Sequence, residues 1–224
     1  MNKLVRNKLK EHINMDTKKL YRAAFGLALF TIFYNVAEGL FATYLGFEDD
    51  SLALFGFGVD SFIEVISGLG IAHMIFRIKL NPDSKRDNFE RTALKITGVS
   101  FYILVVGLVI SSLYNIKTGH NPKTTIWGVV ISLISIAFMW ALIYGKTKVG
   151  KKLNSAAILA DAECSRVCVY MSVILLISSG LYELTHIPYL DVAGTLGLAY
   201  FSFREGRECF EKAGGEMSCS CGCH

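Results

Sequence analysis

Six long apolar stretches dominate this 224-residue sequence and limit the folds that it can adopt. Each stretch reaches or approaches the roughly 20 residues that an α-helix needs to cross about 30 Å of hydrocarbon. Charged residues make up only 19% of the chain and cluster between the stretches. The pattern predicts an all-α, polytopic membrane protein, a six-transmembrane-helix bundle. The predicted helices are 22–45, 51–76, 93–116, 125–144, 155–181 and 187–203.

The distribution of Lys and Arg predicts how the bundle is oriented. Twenty of the 23 basic residues lie in four places, namely the segment up to residue 22, the connections 77–95 and 146–152, and the tail from residue 204. The connections on the other side contain only Lys117 and Lys123, while Arg166 lies within a predicted helix. By the positive-inside rule, both termini are cytoplasmic. The net charge of +4 then reflects membrane topology, and we expect no nucleic-acid partner.

The chain is predicted to divide into three segments. Residues 1–20 are too polar for a cleavable signal and are predicted to form a basic, partly helical cytoplasmic leader. Residues 21–213 form the six-helix domain, and residues 214–224 a cysteine-rich tail. The sequence contains neither a nucleotide-binding glycine motif nor a catalytic serine signature, which argues against an enzyme. Glycines in "GFGVD" and "SGLGIA" indicate close packing of helices.

The second predicted helix carries two acids in "GVDSFIEV". Asp60 and Glu64 are four residues apart, so they lie on one face, one turn from each other. Charged groups within a membrane helix are costly and call for a partner or a function. A bound cation or a shared proton would neutralise the pair. The alternative is a structural pair with a basic residue, for which the predicted helices offer only Arg166.

The fifth predicted helix contains "ILADAECSRVCV", in which two polar groups separate. Glu163 and Arg166 are three residues apart and can form an ion pair. Asp161, Cys164 and Cys168 fall on a different face. Two cysteines one turn apart can bind one soft metal ion, such as zinc, cadmium, mercury, lead or cuprous copper. The alternative is that each cysteine is a small buried apolar residue.

Three stretches together resemble the membrane domain of the cation diffusion facilitator, or cation efflux, family. They are "SLALFGFGVDSFIE", "LADAECSRVC" and "YLDVAGTLGLAYFSFREGRECFEK", and the resemblance covers about residues 24–213. It implies that Asp60 and Glu64 face Cys164 and Cys168 midway across the membrane as four metal ligands. The family usually has His and Asp where this chain has the two cysteines, so the preferred metal is open.

The family resemblance carries two further expectations. The sixth helix opens near Asp191, which we expect to cap it, because an acid at a helix N-terminus meets the positive end of the dipole. The usual C-terminal cytoplasmic domain, which helps members to dimerise, has no counterpart here. A homodimer is therefore an open alternative.

The tail "EKAGGEMSCSCGCH" supplies up to four soft or borderline ligands, predicted to face the reducing cytoplasm, where disulfides are rare. We expect the tail to capture metal and to deliver it to the membrane site or to report metal load. The alternative is a disordered tail with incidental cysteines. The four residues are Cys219, Cys221, Cys223 and His224.

These features predict a secondary transporter that exports a divalent thiophilic metal, namely zinc, cadmium, mercury or lead, in exchange for protons, with no cofactor beyond the transported ion. Asp161 is a candidate second-shell group or proton carrier. Glu38 either lines the approach to the site or has a structural hydrogen-bonding role. A bacterial inner membrane is the expected location. The alternative function is a non-transporting membrane metal receptor or chaperone.

Overall fold

The computed structural model of the chain describes residues 3–80, 88–119, 121–187 and 189–214. Within these ranges every regular element of secondary structure is a helix, which confirms the predicted fold class. The predicted tail ligands Cys219, Cys221, Cys223 and His224 lie outside the described residues. The helices are α1 (Lys3–Glu48), α2 (Leu52–Leu80), α3 (Asn88–Thr118), α4 (Ile126–Leu153), α5 (Ala156–Thr185) and α6 (Tyr189–Gly214).

The helices extend beyond the apolar stretches that predicted them. The clearest case is α4, which was predicted to end at residue 144 but continues through the basic stretch to Leu153. Lysine is a good helix former, and the helix ends where Asn154 adopts a left-handed conformation with φ of 48°. Apolar length therefore marks the part of a helix suited to lipid, and α4 continues past it.

Five helices in the described part of the chain contain segments long and apolar enough to cross a membrane. The sixth, α6, spans 26 residues but is more polar. Its second half carries charged residues, yet one face stays buried in the bundle through Ser202, Gly206 and Cys209. Large apolar side chains such as Ile103 and Trp140 are exposed on the outside of the bundle, as expected for contact with lipid. The chain is an integral membrane protein.

Three helix pairs organise the bundle, α1 with α2, α4 with α5, and α3 with α6. Between these pairs, α2 contacts both α5 and α6, so these three helices meet in the interior. Close approach of α1 and α2 requires glycine, since a Cβ added at Gly46 would collide with the backbone of Phe55 and one at Gly58 with that of Thr43. The predicted packing role of the glycine motif is thus confirmed at Gly58.

Asp191 connects α6 to the start of α2. It lies in the first turn of α6, as predicted, and is buried. Its carboxylate, however, accepts hydrogen bonds from Ser51 Oγ at 2.6 Å and from the backbone N–H of Leu52 at 2.9 Å. Asp191 thus lies at the N-terminus of α6 as predicted, and its carboxylate in addition satisfies free backbone donors at the N-terminus of α2.

Candidate metal site

Glu64 is the point at which α1, α2 and α5 meet. Its Oε2 accepts a hydrogen bond from Asn35 Nδ2 of α1 at 2.9 Å. Its Oε1 lies 2.7 Å from Cys168 Sγ of α5, which donates the thiol hydrogen. A predicted ligand of the second helix is therefore in contact with a predicted ligand of the fifth, although 104 residues separate them.

Asp60 lies one turn before Glu64 and faces a different neighbour. Its side chain is buried, with only 2% of its surface exposed. Ser202 of α6 donates a hydrogen bond from Oγ to Asp60 Oδ1 at 3.3 Å. Asp60 therefore lies at the contact between α2 and α6, while Glu64 faces α1 and α5.

A cavity of about 80 Å³ opens beside Glu64 and Cys168. This volume is enough for several water molecules, or for a cation that keeps part of its hydration. Five helices contribute to its walls, among them α5 with four polar side chains and α6 with three. The polar lining residues on these two helices are Asp161, Cys164, Ser165, Cys168, Glu205, Cys209 and Lys212.

Cys164 lines this cavity one turn before Cys168 but has a different partner. Lys212 Nζ of α6 lies 3.9 Å from Cys164 Sγ, and the same ammonium pairs with Glu208 Oε2 at 3.1 Å. Cys168 faces α2, whereas Cys164 faces α6. The two cysteines of α5 thus contact different helices.

The four predicted ligands are not gathered around one point in this conformation. Over the residues that the structure describes, no three His, Cys, Asp or Glu side chains converge closely enough to hold a metal ion. Glu64 and Cys168 are in contact, Cys164 borders the cavity and Asp60 lies against α6. Their role as a single ligand set remains a prediction.

The predicted second-shell residue Asp161 has a partner that the sequence reading missed. Lys146 was assigned to a cytoplasmic loop, but it lies within α4 with 1% of its surface exposed. Its Nζ lies 2.9 Å from both Asp161 Oδ1 and Ser165 Oγ. The expectation that Arg166 is the sole basic group inside the helices is therefore wrong.

The helical spacing of α4 carries a signal that could have located Lys146. Buried residues of α4 recur every three or four positions, and Lys146 falls in this series. A basic residue that continues a buried stripe must have an internal partner, because an isolated buried ammonium is strongly disfavoured. The buried series includes Ser132, Ser135, Met139, Leu142, Lys146 and Val149.

The predicted pair of Glu163 and Arg166 is confirmed, with Arg166 Nη1 2.8 Å from Glu163 Oε2 on the partly exposed side of α5. Glu38, in contrast, is buried and has two hydroxyl partners. Tyr34 donates to its Oε1 at 2.8 Å and Ser61 to its Oε2 at 3.1 Å. Glu38 does not line the cavity, so its contacts match the structural role that the sequence left open.

Sequence reasoning also missed the cavity-lining face of α6. Glu205, Cys209 and Lys212 follow one another at spacings of four and three residues, which places them on one face of the helix. In the sequence, only Asp191 at the other end of this helix was singled out. The same spacing that identified Asp60 and Glu64 could have identified this face.

Comparison with known protein families agrees with this architecture. Residues 27–217 match the family model described as the cation efflux transmembrane domain. The match extends from α1 to the end of α6 and includes each of the predicted membrane ligands, and it confirms the resemblance noted in the sequence. The chain therefore belongs to the cation efflux family, whose members transport cations across membranes and are not enzymes.

Proposed function

We propose that this chain exports a divalent thiophilic heavy-metal cation, namely zinc, cadmium, mercury or lead, from the cytoplasm in exchange for protons. The observation that supports this proposal most directly is the contact between Cys168 and Glu64 beside the cavity. A thiol and a carboxylate that share a hydrogen can instead share a metal ion. The choice of metal ion and the exchange for protons go beyond the general activity of the family, which is cation transport.

The ligand set we propose is Asp60, Glu64, Cys164 and Cys168. A thiolate pair selects soft and borderline ions, and two carboxylates complete a roughly tetrahedral shell. Asp60 and Cys164 need to turn toward the Glu64–Cys168 contact for this shell to form. Such a rearrangement is compatible with a transporter, because helix groups move relative to one another during alternating access.

Proton exchange follows from the chemistry of these ligands. The hydrogen that Cys168 donates to Glu64 must leave before a metal ion can take its place. Metal and protons therefore compete for the same atoms, and the ligands titrate as a coupled set. Protons that enter from outside would release the metal, and metal arriving from the cytoplasm would release the protons.

Rocking of helix groups about a site near the middle of the membrane would supply alternating access.

Both termini face the cytoplasm in this proposal, because most basic residues flank that side of the bundle. We assign the chain to a bacterial inner membrane and leave a homodimer as an open assembly state. Asp161, held by Lys146, would act through its charge near the site rather than as a ligand.

The cysteine-rich tail is proposed to collect cytoplasmic metal. Its thiols and terminal imidazole are soft or borderline ligands on the reducing side of the membrane. Deletion of residues 217–224 is expected to weaken metal tolerance of cells at low metal concentrations while leaving transport by the purified protein intact. An unchanged dose response after the deletion would contradict this role.

The central test is metal-driven proton flux in sealed vesicles that contain the purified full chain. Zinc, cadmium, mercury and lead are compared, with Asp60→Asn as the inactive variant and Glu163→Gln as a matched carboxylate control on the other side of α5. We expect flux with at least one of these metals that Asp60→Asn abolishes and Glu163→Gln retains. Metal binding without flux would contradict transport and favour the receptor or chaperone alternative.

A further inference from the structure

A second thiol that the proposed function does not use borders the cavity from α6. Cys209 is buried, with 5% of its surface exposed, and it lines the same cavity as Cys164. Part of Cys209 packs with the apolar core that includes Phe101 and Ala199. A purely apolar role would explain that packing but not the position of Cys209 beside a cavity that a second cysteine also lines.

The surroundings of the two thiols suit metal binding. Cys164 on α5 and Cys209 on α6 line the same cavity. Lys212, which follows Cys209 by three residues on α6, places its Nζ 3.9 Å from Cys164 Sγ, so this face of α6 lies against Cys164. Glu205, one turn before Cys209, adds a carboxylate to the same wall.

We propose that Cys164 and Cys209 form a dithiol loading site for a soft cation that accepts two thiolate ligands, such as the mercuric ion. The site bridges α5 and α6 at the cavity and precedes the ligand set around Glu64. This inference rests on the proposed function, since it names where the exported metal is first held. A two-coordinate ion needs no third ligand, in keeping with the absence of a three-residue cluster in the described part of the chain.

Loading is a simple exchange of metal for protons. One mercuric ion forms bonds to two sulfur atoms while two thiol hydrogens leave as protons, so charge is balanced and no group is oxidised or reduced. Cys164 then belongs to both sites, because Cys168 follows it by one turn on α5. The cation can form a bond to the Cys168 sulfur and break its bond to the Cys209 sulfur while it stays bound to Cys164. The Cys168 hydrogen leaves as a proton and Cys209 takes one up, so charge stays balanced and the cation is not released between the two sites.

The cysteine content of the chain permits a clean test. The sequence has six cysteines, and Ser substitution of four of them leaves Cys164 and Cys209 alone in the full chain. Mercuric chloride is titrated into this two-thiol variant in lipid nanodiscs, and thiolate-to-mercury absorbance and free thiols are measured. The substitutions are Cys168→Ser, Cys219→Ser, Cys221→Ser and Cys223→Ser.

We expect one mercuric ion per chain, with both thiols consumed. Adding Cys209→Ala should raise the apparent Kd by about 100-fold, which corresponds to ~2.8 kcal/mol. Adding Cys164→Ala, the matched control, should raise it equally, because each variant leaves one thiol. Two mercuric ions per chain, or a Cys209→Ala effect below threefold, would overturn the loading site. Cys209→Ser, tested beside Cys209→Ala, separates loss of the thiol from a change in packing.

Failure of this proposal is distinguishable from failure of the transport proposal. The two-thiol variant lacks Cys168, so its mercury binding does not depend on a working transport site. One-to-one binding that needs both thiols supports the loading site even if vesicles of the unaltered protein show no flux. Metal-driven flux in the unaltered protein together with two independent mercury sites in the variant would overturn the loading site and leave transport standing.

Discussion

Two glutamates inside the bundle differ in what surrounds them, since Glu38 is buried and Glu64 is partly exposed. Glu38 accepts hydrogen bonds from two hydroxyl groups, those of Tyr34 and Ser61, and does not border the cavity. Glu64 accepts one bond from an amide and one from a thiol, and borders the cavity. Burial alone therefore does not mark a transport site. The type of donor and access to a cavity separate a structural carboxylate from a candidate ligand.

Asp161 is a third carboxylate that differs from both glutamates. It borders the cavity as Glu64 does, yet it is paired with a cation, Lys146 Nζ, 2.9 Å from its Oδ1. Lys146→Met should lower the free energy of unfolding by about 3–5 kcal/mol, because it leaves Asp161 buried without its counter-charge. Thermal unfolding in detergent checks this.

The control for this prediction is the double variant Lys146→Met with Asp161→Leu. We expect it to recover much of the lost stability, since replacing both charges removes the uncompensated one. A single variant as stable as the unaltered protein would show that the pair does not stabilise the bundle in the way that its geometry indicates.

Glu64→Gln removes the charge of the glutamate that borders the cavity. The amide cannot act as a charged ligand, so we expect metal affinity of the purified protein to fall by about 100-fold, or ~2.8 kcal/mol. Isothermal titration with cadmium or zinc measures the change. Affinity within threefold of the unaltered protein would remove Glu64 from the ligand set.

Asn35→Ala examines the support of Glu64 from α1. The amide holds the carboxylate at 2.9 Å without being one of the proposed ligands. Loss of such a supporting hydrogen bond should weaken metal binding by about tenfold. Asn35→Gln, which keeps an amide, should recover part of the affinity, and equal losses in both variants would indicate general disruption rather than loss of this bond.

Glu38→Gln should have the smallest effect on metal. We expect affinity to change by less than about threefold, while the free energy of unfolding falls by about 1 kcal/mol as the hydroxyl bonds weaken. Parallel titration and thermal unfolding separate the two quantities. A loss of affinity as large as that of Glu64→Gln would erase the distinction between the two glutamates.

The pattern of the sequence was enough to predict the helical membrane bundle and the one-turn spacing of Asp60 with Glu64 and of Cys164 with Cys168, although the members of each pair contact different helices. Helix formation in lipid depends on runs of apolar residues, and the sharing of a face depends on helical period. Both properties are local, so they can be read from neighbouring positions. The Glu163–Arg166 pair was predictable for the same reason, since its members are three residues apart.

Local pattern could not tell which helices face each other, or at what rotation. Lys146 finds Asp161 on another helix, Asp191 reaches the start of α2 across 139 residues, and Cys168 meets Glu64 across 104. Such contacts depend on close packing of whole helices, including the glycine approach of α1 to α2. The sequence alone was therefore enough to place most of the polar groups within membrane helices, though not Lys146. Which of them are paired and which face the cavity depends on the tertiary structure, because pairing is set by the packing of distant segments.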